Sequence, residues 1–278
     1  MVAATDNLAR PRKKPRFKPR GLSARRMIGA VIIAIVVALG ILAPVLGLYD
    51  PNESSMDILV GPSAAHWAGT DELGRDVFSR VIYGARVSLL VGLGVGIFAT
   101  VVGVPIGLLA GYTRGKVDLL IVQIIDLFVA LPALILALLI TAIVGSTAEN
   151  IAIVLGFVMW PTTARLVRGQ VISVREALYV EAARASGGSA FWIMWRHILP
   201  NVVRIISAQF SITVAFGIFS SASLSFLGLG VPPPTPDWGT MVREGSQYLS
   251  FTPLMSIAPG AAVTLTVLGF YLIGSKDD

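Results

Sequence analysis

The sequence predicts an all-α membrane protein with six transmembrane helices and both termini in the cytoplasm. Three observations carry this. The 278-residue chain is 55% apolar and 14% charged, with a mean hydropathy of +0.78, a balance that suits a bilayer better than water. Six runs approach or exceed the roughly 20 apolar residues that cross hydrocarbon, at about 27–48, 88–111, 119–144, 149–167, 203–230 and 254–274. Of the 22 Lys and Arg residues, all but Arg75, Arg80, Arg86 and Arg243 fall on one side of the alternating runs, which marks that side as cytoplasmic.

Residues 1–26 mix Lys and Arg with prolines and predict a basic, disordered cytoplasmic arm beside anionic lipid. Run 27–48 exceeds the roughly 7–15 apolar residues of a signal peptide, so it predicts a first transmembrane helix that also anchors. Residues 49–87 follow as an extracytoplasmic loop, and 88–274 form a five-helix core. Glycines crowd the second run, SLLVGLGVGIFATVVGVPIGLLAG. In lipid such small residues let helix backbones approach, so they predict a helix–helix seam.

In the third run Asp126 is the one acid well inside an apolar stretch. Burial is expensive, so it is expected to face the bundle interior and find a partner. It is a candidate for the translocation pathway, set against a structural hydrogen bond or interfacial exposure. Pro132 is expected to kink that helix. The fourth run is the weakest, because Pro161 interrupts it and Arg165 and Arg168 close it. Between the last two runs, VPPPTPDWG (231–239) predicts a stiff outer turn near polyproline II. Residues 275–278 form a short cytoplasmic tail.

Several chemistries are excluded. Cysteine is absent, which removes disulfides and thiolate sites. AGYTRGKV at 110–117 has Ala110 and Val117 where a phosphate-binding loop needs glycine and a hydroxyl. The two histidines, His66 and His197, fall on opposite sides of the membrane. No cofactor or metal is therefore expected in the chain, and the +6 charge lies beside apolar spans rather than in a nucleic-acid surface.

The polar interruption QVISVREALYVEAARASGGSAFWIMWRHILPN (170–201) remains. Val174, Leu178, Glu181/Ala182 and Ala185 recur at helical spacing. Gly187–Gly188 should end that helix, since glycine enters the left-handed region at little cost. A second short helix should follow, with Phe191, Trp192, Trp195 and Leu199 as its aromatic face, before Pro200 and Asn201 lead into the fifth span. Such short helices are expected along the cytoplasmic surface with their apolar side on the membrane helices. The residues alone leave a plain connector and a docking element both open.

EAARASG, a spacer and ILP resemble the EAA signature of ABC-importer permeases, EAAxxxG–x9–IxLP. Glu181, Ala182, Ala183, Gly187, Leu199 and Pro200 occupy matching positions, with His197 at the isoleucine position. GTDELGRDVFSRVIYGARVSLLVG (69–92) and FLGLGVPPPTPDWGTMVREG (226–245) are similar to the second permease subunit of dipeptide/oligopeptide (and nickel) importers. That family usually continues into a charged tail where this chain ends at IGSKDD.

The resemblance implies a type I ABC-importer permease fold with a cytoplasmic coupling helix formed by those EAA residues. It implies no catalysis in this chain: ATP and Mg would be bound by two cytoplasmic ATPase subunits. A homologous second permease and an extracytoplasmic substrate-binding protein complete the machine, the latter meeting 49–87 and 231–240. Short peptides are the implied cargo, with nickel or glutathione as alternatives. A proton-coupled carrier using Asp126 and a non-transporting scaffold are the competing classes.

Overall fold

The computed structural model describes residues 23–275, so most of the expected basic arm and residues 276–278 lie outside the described residues. The helices are α1 (Ala24–Leu42), α2 (Val77–Tyr112), α3 (Lys116–Ala130), α4 (Ala133–Val144), α5 (Ala148–Arg175), α6 (Leu178–Ala185), α7 (Ala190–Ile193), α8 (Leu199–Leu224), α9 (Trp238–Ser246) and α10 (Leu254–Gly274). Five are long and apolar enough to span a membrane, or six spans in all when the bent pair α3 and α4 is counted as one. Arg26 Nη2 donates to the Ser275 carbonyl at 3.1 Å, which brings the first and last described turns to the same end.

The centre of the bundle is the α2–α5 pair. Gly103, Gly107 and Gly111 form one stripe of α2, and a Cβ on them would lie 2.8 Å from the Trp160 carbonyl, 2.6 Å from that of Ala164 and 2.7 Å from Val171 Cβ. The glycine-rich run is therefore a packing seam, as small-residue contacts in lipid require. Around it lie α8, with Val214 and Ile218 buried against Phe270 of α10, and α1, which packs on α10 through the close approach of Gly29 to the Gly269 carbonyl.

Three expectations are corrected, and the kink expected at Pro132 is found. The second span begins at Val77, inside the stretch read as loop. Asp76 caps it by accepting from the Ser79 N–H at 2.7 Å, while Arg80 and Arg86 are satisfied by the Pro51 and Gly40 carbonyls at 2.7 and 2.6 Å. At 36 residues α2 is about 54 Å long by its rise per residue, so its outer turns belong to an extramembrane layer.

The run read as weakest is α5, which passes through a buried Pro161 without a break and whose most apolar window is the most buried of the five spans. It continues beyond Arg165 and Arg168 because Asp126 and Asp118 of α3 meet those charges. The third span is kinked where expected: α3 and α4 meet at 84°, with Pro132 at the N-cap of α4.

Last, the second short helix is not a separate surface element. Residues Ala190–Leu229 form one continuous span. A π-turn at Met194–Ile198, where the Leu199 N–H donates to the Met194 carbonyl, comes just before Pro200, which has no N–H to give to the helical ladder.

Candidate coupling site and membrane pathway

α6 occupies the cytoplasmic end, between α5 and the α7–α8 span. Its inner face is Val180 and Ala183, packed with Val171, Ile193 and Ile198 in one buried cluster. This corrects the helical face read from spacing: Leu178 is 83% exposed, and Tyr179, Glu181, Ala182 and Ala185 also face outward. Ala183 belongs to the chain's own core. Phe191, Trp192 and Trp195, expected on the membrane helices, are exposed, while Ile193 and Ile198 are buried in their place.

The C-terminus of α6 behaves as its glycines require. Gly187 has φ +82°, its N–H donates to the Arg184 carbonyl at 3.0 Å, and the Gly188 N–H reaches back to the Ala183 carbonyl at 3.1 Å. This is the paired closure of a helix whose terminal residue is left-handed. Ser189 then caps α7 through Trp192 N–H at 3.3 Å. Leu199 is half-buried and Pro200 exposed.

Beside α6 lies a polar cavity of about 310 Å³ lined by Tyr112, Arg114, Arg175, Glu176 and Arg184. Arg175 is buried and donates to the Gly111 and Tyr112 carbonyls at 3.0 and 2.9 Å, which ties the end of α5 to the end of α2. The hydrogen bond from Arg175 and the nearby charge of Arg114 hold the Glu176 carboxyl below its ordinary value.

At the opposite end the two conspicuous outer stretches are folded, not solvated loops. Asp71 accepts from Arg75 Nε at 2.6 Å and lies 3.6 Å from Arg80 Nε, all three buried. Arg75 also reaches Glu244 of α9 at 3.9 Å, and His66 Nδ1 meets the capping Asp76 at 2.9 Å. Burial, with the Glu244 and Asp71 carboxylates nearby, raises the Glu72 carboxyl above its ordinary value.

Residues 231–236 close as a turn with a cis Pro233–Pro234 bond instead of a continuous polyproline run. Asp237 caps α9 by accepting from Thr240 N–H at 3.0 Å, and burial raises its carboxyl. Trp238, 1% exposed, donates to the Val81 carbonyl at 2.8 Å. The most distinctive residues of both stretches therefore hold the outer layer together.

Asp126 has a partner, but not in the interior. α3 packs through Ile121, Ile125 and Phe128, the last edge-on to Trp160 at 5.7 Å. Asp126 lies off that face, its side chain 60% exposed, paired with Arg165 of α5. Eight residues earlier Asp118 takes both Nε and Nη2 of Arg168 at 2.6 and 2.8 Å. The sequence reading missed these cross-helix partners. Its available signal was two acids on one run and two arginines on the next, on antiparallel helices. Two apolar cavities share Phe219 and Val263, one of about 460 Å³ between α8 and α10 and one of about 370 Å³ that also borders α9, and no charged residue lines either.

The chain thus combines a broken third span with an amphipathic helix between the fourth and fifth spans. The inward-facing structure of the MetNI methionine ABC transporter shares this fold at a TM-score of 0.59 and 22% identity, over 70% of this chain and 91% of that one. Residues 103–275 match the family of binding-protein-dependent transport system inner membrane components. The chain belongs to that family and is a multi-pass inner-membrane transport component.

It is 40% identical over 246 residues to the glutathione transport system permease protein GsiD of Pectobacterium atrosepticum, covering 88% of this chain and 82% of that one. To the dipeptide transport system permease protein DppC of Alkalihalophilus pseudofirmus it is 39% identical over 259 residues, 93% and 85% of the two chains. The probable D,D-dipeptide transport system permease protein DdpC of Escherichia coli K12 is 37% identical over 281 residues, 99% and 94%.

Proposed function

We propose that this chain is the permease subunit through which short peptides enter the cell, driven by ATP hydrolysis in separate subunits. One observation carries the mechanism: α6 is anchored by Val180 and Ala183 and offers Leu178, Tyr179, Glu181 and Ala182 to a partner at the cytoplasmic end. A helix held on one side and bare on the other transmits a push. Glu181 supplies charge, Ala182 a slim surface for a groove, and Gly187 the turn that sets the direction of approach. Leu199 and Pro200 begin the span to which the push is delivered.

In this reading two cytoplasmic ATPases bind ATP and Mg, and their closure drives α6. The broad α2–α5 seam then tilts as a unit against a homologous second permease, opening the cavity between them to either side alternately. An extracytoplasmic binding protein delivers cargo to the outer layer, which is stiffened by the buried Asp71–Arg75–Arg80 cluster. The division into basic arm 1–26, anchor 27–48, outer segment 49–76 and a core that begins at Val77 follows these roles.

Short peptide is the cargo class that the dipeptide relatives favour. Glutathione, itself a tripeptide, is the second reading, favoured by GsiD. The test is uptake and ATP hydrolysis by the complete complex in proteoliposomes with its binding protein. Stimulation by alanyl-alanine supports the first reading and stimulation by glutathione alone supports the second. Response to nickel and to neither peptide rejects both.

A further inference from the structure

We propose that the Asp126–Arg165 pair lines a water-filled route through the membrane and receives the charged termini of a zwitterionic peptide. The inference rests on the cargo class proposed above and gives it a site.

Depth comes first. From Lys116 to Asp126, and from Arg165 to Arg175, each helix advances ten residues, about 15 Å at the α-helical rise. With Lys116 and Arg175 set at the inner edge of a hydrocarbon layer roughly 30 Å thick, both counts put the pair inside that layer. At that level the side chains are 60% and 48% exposed in this chain. Lipid does not hold an open ion pair there, and such groups face a bundle interior or a water-filled cavity.

Two further features share this region. The chain breaks at Leu131–Pro132, where residues 131–135 are all exposed and α4 begins with no side-chain cap. Backbone groups freed by such a break persist at membrane depth only against protein or water. Between its middle and its inner end, α5 exposes Thr162, Arg165, Gly169 and Ser173 at helical spacing. Towards its outer end it exposes Ile153 and Phe157.

Water is favoured over a dry seam with another subunit. The contact uses one guanidinium nitrogen and one carboxylate oxygen, and both side chains are about half exposed in this chain. Sealing them in a protein interface would carry the full desolvation cost of a buried pair. A hydrated route avoids that cost and leaves both groups available. A short peptide carries a complementary set: its ammonium suits Asp126, and its carboxylate suits the planar fork of Arg165.

Because this chain lacks cysteine, label on a single-cysteine variant can be read on this subunit alone, after it is separated from its partners by electrophoresis, in the complete, reconstituted complex. Thr162→Cys and Gly169→Cys should react with a charged methanethiosulfonate at least tenfold faster than Ile35→Cys, on the exposed face of α1. Turnover with alanyl-alanine should slow them severalfold. Asp126→Asn and Arg165→Gln should each raise the concentration for half-maximal alanyl-alanine uptake at least tenfold, and Arg165→Lys less.

Equal reaction at all three cysteines overturns the water-filled route. Full activity in the neutral pair Asp126→Asn/Arg165→Gln makes the contact a brace between α3 and α5 and overturns the binding role. A parental complex that ignores alanyl-alanine and glutathione refutes the cargo reading, and the terminus site with it. The labelling rates then still decide the route.

Discussion

Gly187 gives the sharpest test of the coupling helix, because its cost can be worked from backbone geometry alone. A Cβ there meets nothing within 4 Å, yet φ is +82°. A substitution therefore changes no packing and pays only for the left-handed conformation, about 1–2 kcal/mol for an L-residue. At 1.4 kcal/mol per factor of ten, the closed turn becomes roughly 5–30 times less favoured relative to open forms. Asn enters this region most readily, Ala less so, and β-branched Val is the worst. Peptide-stimulated ATP hydrolysis in proteoliposomes should fall in the order Gly, Asn, Ala, Val. Membrane insertion and the thermal midpoint of the solubilised chain should barely move. Wild-type stimulation in Gly187→Val would remove the turn from the coupling mechanism, as would an Asn variant no better than Val.

Other perturbations read the frame. Gly107→Leu must force α2 from the Ala164 carbonyl, which a Cβ would approach to 2.6 Å, and should cost roughly 1–3 kcal/mol in detergent-denaturation assays. Asp71→Leu leaves Arg75 and Arg80 buried without their shared carboxylate. It should cost about 3–5 kcal/mol, seen as a large drop in thermal midpoint. Trp238→Ala empties a fully buried site at about 3–5 kcal/mol, and limited proteolysis should then cut near 231–240. Because burial raises the folded-state value of Asp237, its contribution is fullest below the unfolded value and is lost as pH rises through the folded one. Asp237→Asn should therefore gain stability relative to the parent as pH increases from about 4 towards neutrality, and a growing deficit would contradict the assignment.

Much of the fold was legible because a bilayer enforces simple rules. Apolar runs and the bias of Lys and Arg are local quantities, and they marked the spans and their direction without reference to any neighbour. Pro161 misled because proline propensity is also local: α5 survives it by being packed on several sides. The face of α6 was misread because Leu178, Ala182 and Ala185 look apolar in sequence. Which side of so short a helix is buried depends on where Ile193 and Ile198 arrive from. GTDELGRD and PDWG were legible as motifs, but their roles as buried ion cluster, caps and anchor were not.

By itself the sequence determined the solvent, the number and direction of the apolar runs, the glycine that ends α6, and a motif set specific enough to imply the permease family. Those depend on composition and short-range geometry, which travel with the residues. Only the tertiary structure decided that the polar interruption flows into the fifth span, that Ala183 faces inward, and that Arg165 answers Asp126. Each is a contact between residues far apart in the chain, and its energy exists only once the helices have met.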